Sequence, residues 1–157
     1  MHFHKYEKIW LVFGVAALIV FLSVVGVSAF HQGNTPSGGH MTIDPNKVRE
    51  TAPFDQPGLH EKEDGSYEVA MIAMAFGYDP GDLQVPVGEE ILFSVTSEDV
   101  THSFSIVGTN VNMMAIPGQI NHRKHTFTEP GTYLVICNEY CGSGHHFMST
   151  EIEVVEQ

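Results

Sequence analysis

Thr132-Tyr133-Leu134-Val135-Ile136-Cys137-Asn138-Glu139-Tyr140-Cys141-Gly142-Ser143-Gly144-His145-His146-Phe147-Met148-Ser149-Thr150-Glu151-Ile152-Glu153-Val154-Val155 reads as two β-branched, apolar runs, Thr132–Ile136 and Thr150–Val155, flanking a short loop rich in metal-binding side chains. His102 lies thirty-five positions before Cys137, and strand pairing can bring it to the same point. Two thiols, two imidazoles and a thioether form a soft ligand set, which suits copper or a Cys/His zinc site. Zinc leaves Met148 without a role. A blue-copper site needs one Cys, two His and a weak axial Met, so it has no use for a second thiolate four residues on. Two thiolates can instead bridge two copper ions, each with one terminal imidazole, and the inventory then closes with His102, Cys137, Cys141, His145 and Met148.

The register Cys-x-Glu-x-Cys-Gly-x-x-His-x-x-Met from Cys137 to Met148, with His102 upstream, resembles the binuclear CuA centre of cytochrome c oxidase subunit II. The resemblance covers about Tyr67 to Glu156, including Met74-Ala75-Phe76-Gly77-Tyr78 and Pro117-Gly118-Gln119. The chain looks most like the short, single-anchor subunit II of B-family oxidases. The resemblance implies that the carbonyl of Glu139 is the remaining axial ligand. It also implies an all-β, cupredoxin-like Greek-key sandwich or barrel behind one N-terminal transmembrane helix. Phe76 and Tyr78 would then lie by the copper at a docking surface, the alternative being plain aromatic core.

Two cysteines outside the cytoplasm commonly form a disulfide. A disulfide has no need of His145, Met148 and His102, so the neighbours favour a metal–thiolate site. His146 rivals His145, but only His145 keeps the four-residue and three-residue spacings. His31, His40, His60, His122 and His125 are expected to face solvent, and Met71, Met74, Met113 and Met114 to be packing or surface residues. Asp99, three residues before His102, is either an orienting partner for that imidazole or simple turn chemistry.

Seven bases against 19 acids give a formal charge of −12. Beyond the first apolar segment the balance is 18 acids to 5 bases, a net of −13. A nucleic-acid partner is excluded on these terms, because backbone binding needs Lys and Arg to neutralise phosphates. A basic protein partner fits.

Ile9 to Phe30 carries no charge. Twenty-two residues span about 33 Å as a helix, enough for a hydrocarbon core of roughly 30 Å. Lys5 and Lys8 precede it and no base follows until Lys47, so the positive-inside rule places the N-terminus in the cytoplasm and the remainder outside the plasma membrane. Val27-Ser28-Ala29 resembles a signal-peptidase site, but the apolar run exceeds the usual length of a cleaved signal. The expected organisation is a cytoplasmic stub and anchor over residues 1–31, a linker over 32–66 and the copper domain over 67–157. Within the linker, Asp44-Pro45-Asn46-Lys47-Val48-Arg49-Glu50 suggests a short helix capped by Asp44. Strands are expected at Tyr67–Ala75, Leu83–Val87, Glu90–Thr96, His102–Val107, Asn121–Phe127, Thr132–Ile136 and Thr150–Val155. Pro80-Gly81, Val87-Gly88 and Pro130-Gly131 punctuate them.

The resemblance implies an electron-entry subunit of a membrane-bound terminal oxidase. A cytochrome c or similar small redox protein would reduce two copper ions, which pass electrons to haem in subunit I for oxygen reduction. The oxygen site itself would lie in that other subunit. No haem-attachment Cys-x-x-Cys-His occurs, so the donor is expected to be a separate protein. Glu139 further suggests a Mg²⁺ ion at the subunit I interface, since hard cations favour carboxylate. Membrane lipid is the remaining partner. Exposed to an oxidising compartment, Cys137 and Cys141 would need a thiol reductant and a copper chaperone during assembly. The alternatives are a copper-delivery module and the CuA domain of another reductase. The first needs exchangeable ligands, and the second, in nitrous oxide reductase, a propeller for which this chain has no room.

Overall fold

The computed structural model describes residues 4–31 and 38–156. Helix α1 (Lys5–Phe30) starts where the His4 N–H donates to Glu7 Oε2 at 2.9 Å, and no residue of it is buried. A helix apolar on every side with no buried residue fits a lipid environment, and this one is long and apolar enough to cross a membrane. Everything from Gly38 onward belongs to a second compact unit.

That unit is a sandwich of two sheets. Strands β1 (Gly38–Thr42), β9 (Gln119–Thr126), β6 (Glu90–Ser97), β3 (Tyr67–Met74) and β2 (Gly58–Glu61) lie side by side in that order, and β4 (Gly77–Asp79) folds back on β3. The other sheet runs β5 (Asp82–Pro86), β11 (Ser149–Val155), β10 (Gly131–Ile136), β7 (His102–Ile106), β8 (Asn112–Ala115). Alternate residues of each strand meet between the sheets. Val69, Met71, Phe93 and Val95 face Phe104, Ile106, Val135, Ile152 and Val154 in one buried cluster. This is the all-β, cupredoxin-like architecture that the sequence suggested, and all seven expected strands are present within one or two residues of their predicted bounds.

The expected linker over 32–66 needs correction. Residues 32–37 lie outside the described residues, as does the side chain of His40, but much of the rest is packed onto the domain. β1 pairs with β9 and β2 with β3, while Ile43, Val48 and Phe54 cover the far face of the first sheet against Ala70, Ile72 and Ile120. β3 is therefore buried on both faces from Val69 to Ala73. That explains its unbroken apolar run, which an alternating, half-exposed strand would not show. The polar, Pro-rich composition of 43–57 concealed this role because only three of its residues reach the core. Nor does a helix begin at Asp44. Its Oδ1 accepts from the Asn46 N–H at 3.0 Å in an Asx turn, and helical geometry is confined to the single 3-10 turn Val48–Glu50.

The corrected boundary can be tested by stability. Phe54 is fully buried, so Phe54→Ala is expected to cost about 3 kcal/mol or more and to lower the Tm of the full chain by roughly 10 °C. An unchanged Tm would make the segment a mere spacer.

Candidate metal centre

The ligand loop hangs between two paired strands. β10 and β11 run antiparallel to the pair Ile136↔Ser149, and the Cys137 N–H donates to the Met148 carbonyl at 3.2 Å to close the loop behind them. β7 joins β10 through Ile136↔Ser105, and the Asn138 N–H donates to Ser103 Oγ at 2.6 Å. That contact brings the start of β7, where His102 stands, against the start of the loop. The loop ends in one 3-10 turn, His145–Phe147, which returns the chain so that Met148 points inward, 2% exposed.

Inside this frame the expected side chains converge. The two Sγ atoms are 3.9 Å apart, and both cysteines are free. Cys141 Sγ lies 3.6 Å from His145 Nδ1 and 3.6 Å from Met148 Sδ. Cys137 Sγ is 3.1 Å from the carbonyl oxygen of Glu139, whose side chain is exposed. A ring nitrogen of His102 and both thiols lie within 4.8 Å of one another, the group of metal-binding type found among the described residues. His146 is exposed and stacks on Phe147 at 3.9 Å between centroids. His145, by contrast, is half-buried with its Nδ1 beside Cys141 Sγ.

His102 supplies the test of fit. It is fully buried, its Nε2 is 2.8 Å from Asp99 Oδ1, and its Nδ1 is buried with no hydrogen-bond partner. A proton held on Nε2 by the carboxylate leaves a lone pair on Nδ1. An orphaned buried acceptor is costly in a native structure unless something occupies it. A metal ion does so, and carboxylate–imidazole–metal chains are the usual way of orienting such a ligand. Asp99 thus has the orienting role, and the turn role too. Its Oδ2 accepts from the Ala75 N–H at 2.6 Å and its Oδ1 from the Val100 N–H at 2.6 Å. Partial burial raises its pKa, but the bonds from His102 and these two amides outweigh that, and the carboxyl sits below the usual aspartate range.

Burial, reinforced by the neighbouring Cys137, pushes the Cys141 thiol up to about 11. A metal entering the site must therefore displace its proton.

Phe76 and Tyr78 are placed differently, Tyr78 buried and Phe76 partly exposed. Tyr78 belongs to the core, with its hydroxyl donating to the Ser103 carbonyl at 2.6 Å, and burial holds its phenol well above the usual value. Phe76 is 42% exposed and its ring rests on the ligand loop. A Cβ on Gly144 would come within 2.4 Å of that ring, so the ring as placed calls for glycine there, while Gly142, whose Cβ would stand 3.1 Å from it, is favoured as glycine by its φ of +130°. Sequence patterns did not reveal this contact. Ser103 was missed as well, because a serine in a strand carries no signal of the loop amide it accepts. Three of the histidines expected to face solvent are half-buried instead: His60 Nε2 lies 2.7 Å from the Gln56 carbonyl oxygen, His122 Nδ1 lies 2.9 Å from Ser94 Oγ, and His125 Nδ1 lies 2.9 Å from Asn110 Oδ1. Met71 and Met113 are core residues, as expected.

Residues 71–155 match the family model described as cytochrome c oxidase subunit II, periplasmic domain. The chain is 42% identical over 155 residues to the cytochrome c oxidase subunit 2 of Thermus thermophilus, covering 96% of this chain and 92% of that one. Among solved structures, a chain of a haem-copper terminal oxidase dimer superimposes with a TM-score of 0.79 at 31% identity, covering 96% of this chain and all of its own. The periplasmic domain of subunit II (CoxB) of Bradyrhizobium japonicum gives 0.54 at 26% identity, over 57% of this chain and 84% of that one. A mixed-disulfide intermediate between a thioredoxin-like protein and a subunit II of cytochrome c oxidase gives 0.50 at 27%, over 57% and 82%. By family match and by identity across nearly its whole length, this chain belongs to the cytochrome c oxidase subunit II family, a subunit of a haem-copper terminal oxidase, and its one long apolar helix among the described residues fits a single-pass membrane subunit.

Proposed function

We propose that Cys137, Cys141, His102, His145, Met148 and the backbone carbonyl of Glu139 would together hold two copper ions. The observation that carries this reading is the orphaned Nδ1 of a fully buried His102 whose ring reaches the two free thiols. When bound, the copper pair supplies reversible one-electron chemistry between a soluble donor, a cytochrome c or similar protein, and haem in subunit I. The chain's own work is to hold the ligands still: paired strands fix both ends of the loop, Asp99 fixes the His102 ring, and Phe76 covers Gly142 and Gly144.

The charge pattern around α1 supports an N-terminus in the cytoplasm and a metal domain outside the plasma membrane. Free thiols on that side need a reductant before loading, in line with the relative trapped in a mixed disulfide with a thioredoxin-like protein. A copper chaperone would follow it. A copper-delivery role fits less well, because His102 and Met148 are buried and transfer needs ligands that a partner can reach.

Copper analysis and electron paramagnetic resonance of the full chain in detergent test the assignment. Two coppers per chain and a multi-line mixed-valence signal are expected, lost in Cys137→Ser, Cys141→Ser and His145→Ala and kept in His146→Ala. One copper per chain, or loss of metal in His146→Ala, would overturn it.

Loading should also depend on pH. Because the Cys141 thiol is protonated up to about pH 11, its displacement alone makes copper affinity rise by about tenfold per pH unit through the neutral range. Competition against a chelator at pH 6 and pH 8 measures the slope, and a flat profile would contradict it.

Glu139 has an exposed carboxylate and a carbonyl 3.1 Å from Cys137 Sγ, and we assign the carboxylate one Mg²⁺ at the contact with subunit I. Glu139→Gln is expected to leave the copper spectrum nearly unchanged and to remove one bound divalent ion from the assembled oxidase. A wild-type complex without such an ion at that contact would rule the assignment out.

A further inference from the structure

Arg49 stands on the 3-10 turn Val48–Glu50, anchored by the buried Val48 beside it. Its guanidinium reaches two segments at once. Nε and Nη2 lie 2.8 and 3.5 Å from the two carboxylate oxygens of Glu98, in the turn between β6 and β7, while Nη1 lies 2.6 Å from Asp79 Oδ2 in β4. Nη2 also approaches Met74 Sδ at 3.9 Å. These two segments hold His102 from behind. Glu98 immediately precedes Asp99, the residue bonded to the His102 ring. Asp79 is the last residue of β4 and pairs with Ile72 in the β3–β4 hairpin, whose turn carries the Ala75 N–H that grips Asp99 and the Phe76 ring that lies on the loop.

We propose that Arg49 is a positioning residue for His102. By gathering Glu98 and Asp79 on one rigid fork, it keeps the β6–β7 turn and the β3–β4 hairpin in the register at which Asp99 bonds both the Ala75 amide and the imidazole. Without it Asp79, Glu98 and Asp99 would be neighbouring carboxylates with nothing in the turn to draw them together, and like charges at short range repel. The pairs are partly exposed, with side-chain exposures of 48% for Arg49, 36% for Asp79 and 29% for Glu98, so their effect on overall stability is small and their consequence is local. Lysine would keep the charge but lose the planar, multidentate geometry. The importance of the arrangement for electron transfer rests on reading His102 as a copper ligand. The geometry itself does not.

Amide hydrogen exchange in the metal-free full chain in detergent tests the proposal directly, since the Ala75 and Val100 amides both donate to Asp99. Arg49→Gln and Arg49→Lys are each expected to speed exchange at these two amides roughly fivefold, with the amides of β10 and β11 unchanged. Lys124→Gln, which breaks a comparable surface pair with Glu90, should change neither amide. In the copper-loaded chain, both Arg49 variants should shift the copper–thiolate absorption bands while Lys124→Gln leaves them in place. Unaltered exchange at Ala75 and Val100 in Arg49→Gln, acceleration spread evenly over the sandwich, wild-type behaviour of Arg49→Lys, or an unshifted spectrum in both Arg49 variants would each overturn it. A chain that binds no copper would refute the proposed function while leaving the exchange result to decide Arg49's part.

Discussion

The antiparallel pairing of β10 with β11, closed by the Cys137 N–H on the Met148 carbonyl, is the constraint on which the metal centre depends. It places the first and last residues of a ligand loop side by side. The loop between them has few ways to run, and one 3-10 turn at His145 brings Met148 back into the interior. Ser103 then docks the loop to β7 through the Asn138 amide, so His102 arrives from a separate strand without a flexible connection. Ligands on rigid strands with supporting hydrogen bonds move little when the charge on a bound metal changes.

The same sandwich needs its outer face covered. β3 is apolar on both faces from Val69 to Ala73, and leaving Ala70 and Ile72 in water would waste part of the apolar burial that holds the domain together. The segment from Ile43 to Phe54 supplies that cover. The chain between anchor and sandwich is thus structural along much of its length. It also carries Arg49 to a point where two segments behind the metal site meet.

Electrostatics inside the centre differ in kind from those at the surface. The surface is acidic, and its charge belongs to partners and solubility. Inside, the metal-free site holds a protonated Cys141 thiol and an imidazole polarised by one ionised carboxylate, Asp99. Proton release on metal entry keeps the loaded centre from burying excess charge, which would be costly among apolar neighbours.

The sequence by itself determined the candidate metal-binding side chains and their spacing, the strand alternation, the long apolar segment and the family. These are local signals: a ligand motif, a period of two and a length of uncharged chain are all written in consecutive residues. It did not determine which strands would be neighbours. The strands β1, β2, β4 and β8 escaped notice because they are short or polar, and their pairing depends on partners far along the chain. Tertiary structure alone decided that Asp99 joins Ala75 to His102, that Phe76 lies on two glycines while Tyr78 turns into the core, that Ser103 receives a loop amide and that Arg49 bridges Glu98 and Asp79. Apart from the bond between Asp99 and His102, which a three-residue spacing already suggested, each of these contacts joins residues whose meeting is set by sheet packing, and no spacing in the one-dimensional sequence encodes it.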